Sequence, residues 1–216
     1  MSKKAVLFDL DGTLLDTLQD LAEAVNQGLE SLGLPQHEIA AYRYFVGEGR
    51  EEMVRKALPD SRRDAFSMAH MLDFVNRYYH LHWKDHTHPY EGIPELLDSL
   101  NGKGIPMSVF SNKPQEFTTQ CISGLLSGWN FTHVLGASDE VPKKPDCTAA
   151  LRIASDLGIK PGDFLYLGDS GVDMQTALRA GMYGVGALWG FRTRQELMAN
   201  GARALIHHPL ELIDLL

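Results

Sequence analysis

Cysteine is nearly missing from this chain: Cys121 and Cys147 are the only two in 216 residues, and they lack the spacing of a metal site. That excludes a disulfide scaffold and points to two free thiols in a reducing compartment, the cytoplasm. Positive charge is also short. Twenty Lys and Arg face 28 Asp and Glu, and the formal net charge of −8 argues against nucleic acid or an anionic membrane as a partner. It leaves room for a small anionic substrate, because a local site can be positive inside a negative molecule. No apolar run approaches the length of a membrane span. The run behind Lys3-Lys4 breaks at Asp9, which is short for a secretory signal. There is no internal repeat and no low-complexity segment. What remains is an ordinary globular composition, long enough for one domain or for one domain with an insertion.

The most informative stretch is Phe8-Asp9-Leu10-Asp11-Gly12-Thr13-Leu14-Leu15-Asp16. Lys4 to Phe8 reads as a buried strand. It ends on two carboxylates one residue apart, which carries two anions to the edge of an apolar sheet. Such a pair is tolerated chiefly with a cation between its members, and Mg²⁺ with its oxygen ligands fits that need. The carboxyl end of a strand is also where open α/β sheets bind ligands. Taken alone, Asp-Gly is equally good turn chemistry.

The periodicity then becomes helical. Leu18, Leu21, Ala22, Val25, Leu29 and Leu32 mark an amphipathic helix from Asp16 to Leu32, closed by Gly33. A second short helix is expected over 36–44, a loop over Phe45-Val46-Gly47-Glu48-Gly49, and a helix over 50–58. One long helix is expected over 60–83, with Phe66, Ala69, Met71, Phe74 and Tyr78 on its inner face. No strand signal interrupts residues 17–85. Strands and helices alternate from residue 86 onward, with strands near 105–110, 133–137, 164–167, 182–188 and 204–206. The fold class expected is α/β, a Rossmann-like doubly wound parallel sheet with an inserted all-α segment. Residues 1–16 and 86–216 would form the core and residues 17–85 a helical cap.

Four strand ends or loops carry polar residues that can converge. The first offers Asp9 and Asp11. The second offers Ser111 and Asn112, a hydroxyl and an amide suited to phosphate oxygens. Lys143-Lys144-Pro145-Asp146 puts cations before a helix N-terminus. Gly168-Asp169-Ser170-Gly171-Val172-Asp173 adds carboxylates for a metal. Each has an ordinary reading of its own, as turn residues, a solvated charge pair or a helix cap. Their joint occurrence in this order is what those readings leave unexplained.

With these residues in place, the chain resembles the haloacid dehalogenase-like (HAD) superfamily over nearly its full length. The motifs that carry the resemblance are Asp9-x-Asp11-Gly12-Thr13, Ser111, Lys144 ahead of Pro145, and Gly168-Asp169-Ser170 through Asp173. The helical segment looks like the cap that one subclass inserts after the first motif, and its 45–49 loop looks like that of phosphoglycolate phosphatases. The resemblance implies a Mg²⁺-dependent phosphatase of small phosphorylated metabolites, with 2-phosphoglycolate the first candidate, acting through an aspartyl-phosphate. Asp9 would be the nucleophile and Asp11 the acid and base. Mg²⁺ would be held by the Asp9 carboxylate, the Asp11 backbone carbonyl and Asp169, with Asp173 orienting metal-bound water or Lys144. Ser111, Asn112 and Lys144 would bind phosphoryl oxygens, and Thr13 would help to position Asp11. An acid at position 11 favours phosphoryl transfer over dehalogenation. Pyrophosphatase, nucleotidase, sugar phosphatase and phosphosugar mutase stay open as alternatives, although such mutases tend to show Val where Thr13 stands. A receiver-like module that retains the phosphoryl group is disfavoured by Asp11 and by the cap.

Three positions stand apart. Cys147 replaces the second Pro common after Lys-Pro-x and reads as a small apolar residue. Arg50 either reaches a substrate carboxylate or pairs with a nearby Glu on the helix surface. Lys113 sits close to the phosphate site or in solvent. His80, His82, His86 and His88 invite a zinc reading, but no acid or cysteine at ligand spacing accompanies them, and a hinge region is the better one. A monomer or a homodimer suits the chain equally.

Overall fold

The computed structural model describes residues 3–216. In chain order the elements are β1 (Ala5–Phe8), β2 (Leu15–Asp16), α1 (Leu18–Ser31), α2 (Arg50–Ala57), α3 (Ala65–His82), β3 (His88–Pro89), α4 (Ile93–Gly102), β4 (Met107–Pro114), α5 (Gln115–Leu125), β5 (Phe131–Ala137), α6 (Thr148–Asp156), β6 (Phe164–Gly168), α7 (Gly171–Ala180), β7 (Tyr183–Ala187), α8 (Arg194–Ala199) and β8 (Ala204–Ile206). Short 3₁₀ turns occupy Ile39–Tyr44, Asp60–Arg62, Pro161–Asp163 and Pro209–Leu215.

Six strands form one sheet in the order β5-β4-β1-β6-β7-β8, with every pairing parallel. The chain winds from β1 out to β4 and β5 on one side, then crosses back to β6, β7 and β8 on the other. Loops leaving the central strands therefore diverge at their carboxyl ends and open a crevice there. β1 lies at the centre, with Val6 opposite Met107 and Leu165. Its four residues are fully buried because both faces of the sheet are covered. Val6 and Phe8 pack with Leu96, Leu97 and Leu100 of α4 on one face. Ala5 and Leu7 pack with Ile153 and Ala154 of α6 on the other.

Among the described residues no strand lies between Asp16 and His88, as the periodicity predicts. β2 and β3 pair antiparallel, Leu15 with Pro89 and Asp16 with His88, so the chain leaves for the helical segment and returns through one two-stranded junction. Asp20, in the first turn of α1, accepts hydrogen bonds from the His86 and Thr87 backbone N–H groups and from the Thr87 hydroxyl, tying the two crossings together. That carboxylate and Glu23 lie beside His86. Contrary to the sequence reading, an acid does accompany the histidines locally: Asp85 lies 2.7 Å from His82 Nδ1, while Asp20 is already engaged as a tie.

The helix expected over 60–83 is two elements. Asp64 accepts from the Phe66 and Ser67 N–H groups and so starts α3 afresh behind the 60–62 turn. The buried stripe is Ser67, Met71, Val75 and Tyr79, whereas Phe66 is 77% exposed and Ala69 lies outside. Gly28 of α1 admits the Met71 side chain at this crossing: a Cβ there would lie 3.0 Å from Met71 Cε. β4 also runs further than expected, so Ser111, Asn112 and Lys113 belong to the strand itself. No helix is long and apolar enough to cross a membrane among the described residues.

Candidate active site

The carboxyl ends of β1, β4 and β6 bring the predicted residues together. Asp9 follows β1 directly, and its N–H donates to the Leu167 carbonyl, which locks it beside the end of β6. Asp169 follows β6. Asp173 sits in the first turn of α7, where it and Ser170 form a reciprocal capping box. Carboxylate oxygens of Asp9, Asp169 and Asp173 lie within 4.8 Å of one another, and all three side chains are buried.

Lys144 reaches into this group. Its ammonium is 2.7 Å from Asp9 Oδ1 and 2.6 Å from Asp173 Oδ1. Burial opposes the charge on Lys144, but Asp173 and Asp9 outweigh it and hold its pKa well above the ordinary value. The acids respond in the other direction. Burial, then the charge of Asp173, push Asp9 up to about 7 against the partial relief from Lys144. Burial, with Asp173 and Asp9, raises Asp169 well above the ordinary carboxylate range. Three buried carboxylates with one buried cation are short of positive charge, and their donors are hard oxygens. That donor set fits a divalent cation of the Mg²⁺ type.

The backbone is shaped around Asp169. The Phe191 N–H donates to its Oδ2 at 2.7 Å. Gly12 has φ +84°, and a Cβ there would fall 2.3 Å from Asp169 Oδ2; one on Gly190 would fall 2.3 Å from Asp169 Cβ. Only glycine leaves Asp169 room between these two turns.

The other residues expected at the site divide. Ser111 is buried at the end of β4, and its Oγ accepts the Lys113 N–H. Asn112 lines the cavity, and its amide is engaged within the chain. It donates to the Gly47 and Lys144 carbonyls and accepts the Lys144 N–H at 2.7 Å, so it braces the loop that presents Lys144. Thr13 makes no hydrogen bond to Asp11: its hydroxyl is buried with no hydrogen-bond partner among the described residues, and its carbonyl accepts from Trp189 Nε1. Asp11 stands outside the group of three acids, and its two oxygens lie 3.0 and 3.3 Å from Lys113 Nζ. Lys113 is therefore buried and paired. Lys143 diverges from Lys144 to meet Glu51 on α2.

A cavity enclosing about 560 Å³, counting its open mouth, runs from Asp9, Asp11 and Ser111 to the helical segment. Leu21, Val46, Met53, Val75 and Phe117 give it an apolar wall. Arg50 stands in that wall. It donates to the Asn76 side-chain carbonyl, its Nε is buried without a partner, and no carboxylate pairs with it among the described residues. The pairing with a surface Glu, open in the sequence, is not what forms.

The sequence pattern puts Phe74 and Tyr78 on the inner face of α3 beside Met71, whereas the structure buries Val75 and Tyr79 and brings Asn76 to the cavity. Arg192 left no motif. From the loop before α8 it donates to the Arg43 and Val46 carbonyls, the latter at 2.7 Å, and fastens the helical segment to the core.

A family model for haloacid dehalogenase-like hydrolases matches residues 6–187. A phosphoglycolate phosphatase of Pseudomonas putida is 33% identical over 94% of this chain and 76% of its own. One of Aquifex aeolicus is 33% identical over 87% of this chain and 86% of its own. A crystal structure from Lactobacillus delbrueckii subsp. bulgaricus, named a phosphoglycolate phosphatase by inference, superposes with a TM-score of 0.92 at 29% identity, covering 98% of this chain and 97% of that one.

Proposed function

Because the chain belongs to the haloacid dehalogenase-like hydrolases and is a phosphoric monoester hydrolase, we propose that its substrate is 2-phosphoglycolate or a similarly small phosphate ester bearing a carboxylate. The observation that carries this reading is Arg50, a cation in the cavity wall that no carboxylate neutralises among the described residues. A substrate carboxylate would supply the missing anion and an acceptor for the buried Nε. The apolar wall beside it suits a short carbon skeleton better than a sugar or a nucleotide. Relatives named phosphoglycolate phosphatases support the same assignment.

In this reading Asp9 attacks phosphorus in line. An Oδ–P bond forms as the ester P–O bond breaks, and Asp11 gives a proton to the departing oxygen. Water then attacks the aspartyl-phosphate, Asp11 takes a proton from it, and the Asp9–P bond breaks to release phosphate. Lys144 and the Ser111 hydroxyl offset the charge on the phosphoryl oxygens. Asp9 and Asp169, with the Asp11 backbone carbonyl, would hold Mg²⁺, and Asp173 keeps Lys144 in place from behind. Bound there, the ion neutralises phosphoryl charge and orients the phosphate. Residues 17–85 act as the cap, closing over a core of 1–16 and 86–216 and excluding water. Net charge and the two free thiols, Cys121 and Cys147, support a cytoplasmic enzyme, monomer or homodimer, with neither nucleic acid nor membrane as partner.

Phosphate release from 2-phosphoglycolate, glycerol phosphate, glucose phosphate, pyrophosphate and a nucleotide, with Mg²⁺ or EDTA, tests the reading. Preference for 2-phosphoglycolate, lost in EDTA and in Asp9→Asn, is expected. Preference for an ester without a carboxylate, or no release by folded protein, overturns it.

A further inference from the structure

Lys113 is an ammonium in a place that is costly for one. Its side chain is 3% exposed, and burying such a charge costs several kcal/mol unless partners offset it. Two partners do. The Asp11 carboxylate lies at 3.0 and 3.3 Å, and the face of the Tyr79 ring lies 4.6 Å from Nζ. Burial opposes the charge, yet Asp11 foremost outweighs it and raises the Lys113 pKa above its ordinary value.

The arrangement runs in one direction. Tyr79 is on α3 of the helical segment, edge-on to Phe117 at 5.1 Å and nearly fully buried. Lys113 is fixed at its backbone, where its N–H meets Ser111 Oγ and its carbonyl accepts from Thr118 Oγ1. Asp11, by contrast, has Lys113 as its only side-chain hydrogen-bonding partner among the described residues. The direction in which its carboxylate points is therefore set by one ammonium, and the lateral position of that ammonium is set by a ring from the helical segment.

We propose that Lys113 is a positioning residue for Asp11, aiming its carboxyl group at the ester oxygen, and that Tyr79 makes this aim depend on the seating of helix α3 over the core. The inference rests on the phosphatase reading above, in which Asp11 donates the proton as the P–O bond breaks. Lys113 neither gives nor takes that proton. Its ammonium is committed to Asp11 and to the ring, so a direct role on phosphoryl oxygens falls to Lys144 and Ser111.

The test separates proton delivery from phosphate binding by the choice of leaving group. Acetyl phosphate is small and releases acetate, which needs no proton; 2-phosphoglycolate releases an alkoxide oxygen, which does. kcat/KM is measured on both for the native chain, Asp11→Asn, Lys113→Met and the double variant. Lys113→Met should lose on the order of 10- to 100-fold on 2-phosphoglycolate and less than about threefold on acetyl phosphate. The double variant should be no worse than Asp11→Asn alone, because the two act as one unit. Tyr79→Leu should show the same selective loss to a smaller degree, and it supplies the answer if Lys113→Met fails to fold. Equal losses on both substrates, or losses that multiply in the double variant, would assign Lys113 to phosphate binding and overturn the proposal. Failure of the native chain to release phosphate from either substrate would overturn the phosphatase reading instead.

Discussion

Lys144 Nζ lies 2.6 Å from Asp173 Oδ1, with both side chains sealed from solvent. The same ammonium lies 2.7 Å from Asp9, so it is the cation that lets buried acids share the end of the sheet. Removing one member of a buried pair typically costs about 3–5 kcal/mol, because the other charge is left without a partner. Lys144→Met should therefore lower stability by roughly that amount in EDTA, as read by urea unfolding. Added Mg²⁺ should restore part of the loss. A variant as stable as the native chain in EDTA would show that the acids do not need Lys144.

The Asp9 carboxyl gives a pH signature. Burial first, then Asp173, push it from 3.8 up to about 7. The unfolded chain releases this proton near pH 4, so between about 4 and 7 the folded chain holds a proton that the unfolded chain has lost. The stability this supplies is full below the unfolded value and drains away as pH rises through 7. Asp9→Asn cannot ionise. Relative to it, the native chain in EDTA should lose on the order of a few kcal/mol as pH rises from 4 to 8. A stability difference that stays flat across that window would mean Asp9 ionises as freely in the fold as in solution.

Arg50 should act on substrate recognition and not on chemistry. Arg50→Ala should raise KM for 2-phosphoglycolate about 10- to 100-fold, since a charge-assisted contact is lost. On acetyl phosphate, which has no carboxylate, the change should stay within about threefold. Equal effects on both would place Arg50 in the wall for its bulk alone.

Arg192 joins two parts of the chain through backbone carbonyls, so side-chain variation at Arg43 and Val46 would leave the contact in place. Hydrogen bonds to a charged donor contribute about 1.5–3 kcal/mol each. Arg192→Ala should speed amide hydrogen exchange over residues 42–49 without changing exchange in β1 or β6. Lys at this position should rescue poorly, because one ammonium cannot reproduce a fork that spans two carbonyls. Unchanged exchange in the 42–49 loop would show that the loop is held by Asn112 and its neighbours alone.

Much of this architecture is legible in the chain. Ala5–Phe8 is too uniformly apolar to be other than a strand covered on both faces, and Asp9 directly behind it is carried to the sheet edge. Asp169 follows the same logic after β6, whereas the cap of α7 is made by Ser170 and Asp173. The pattern of helix formers over 60–83 does not mark the break that the Asp64 cap makes. Asn76 and Tyr79 face the cavity through packing of α3 that the helical period alone does not specify.

The sequence by itself determined which residues stand at strand ends, because the period of apolar residues and the capping chemistry are local properties of the chain. It determined the parallel α/β class and the helical insertion for the same reason. Only the tertiary structure decided partners. Lys113 meets Asp11 across 102 residues, Asn112 braces Lys144 across 32, and Arg192 holds Val46 across 146. Whether a polar side chain faces a ligand or a neighbour depends on which other group reaches it first in a buried space. That contest is settled by packing between elements, and no local pattern records it.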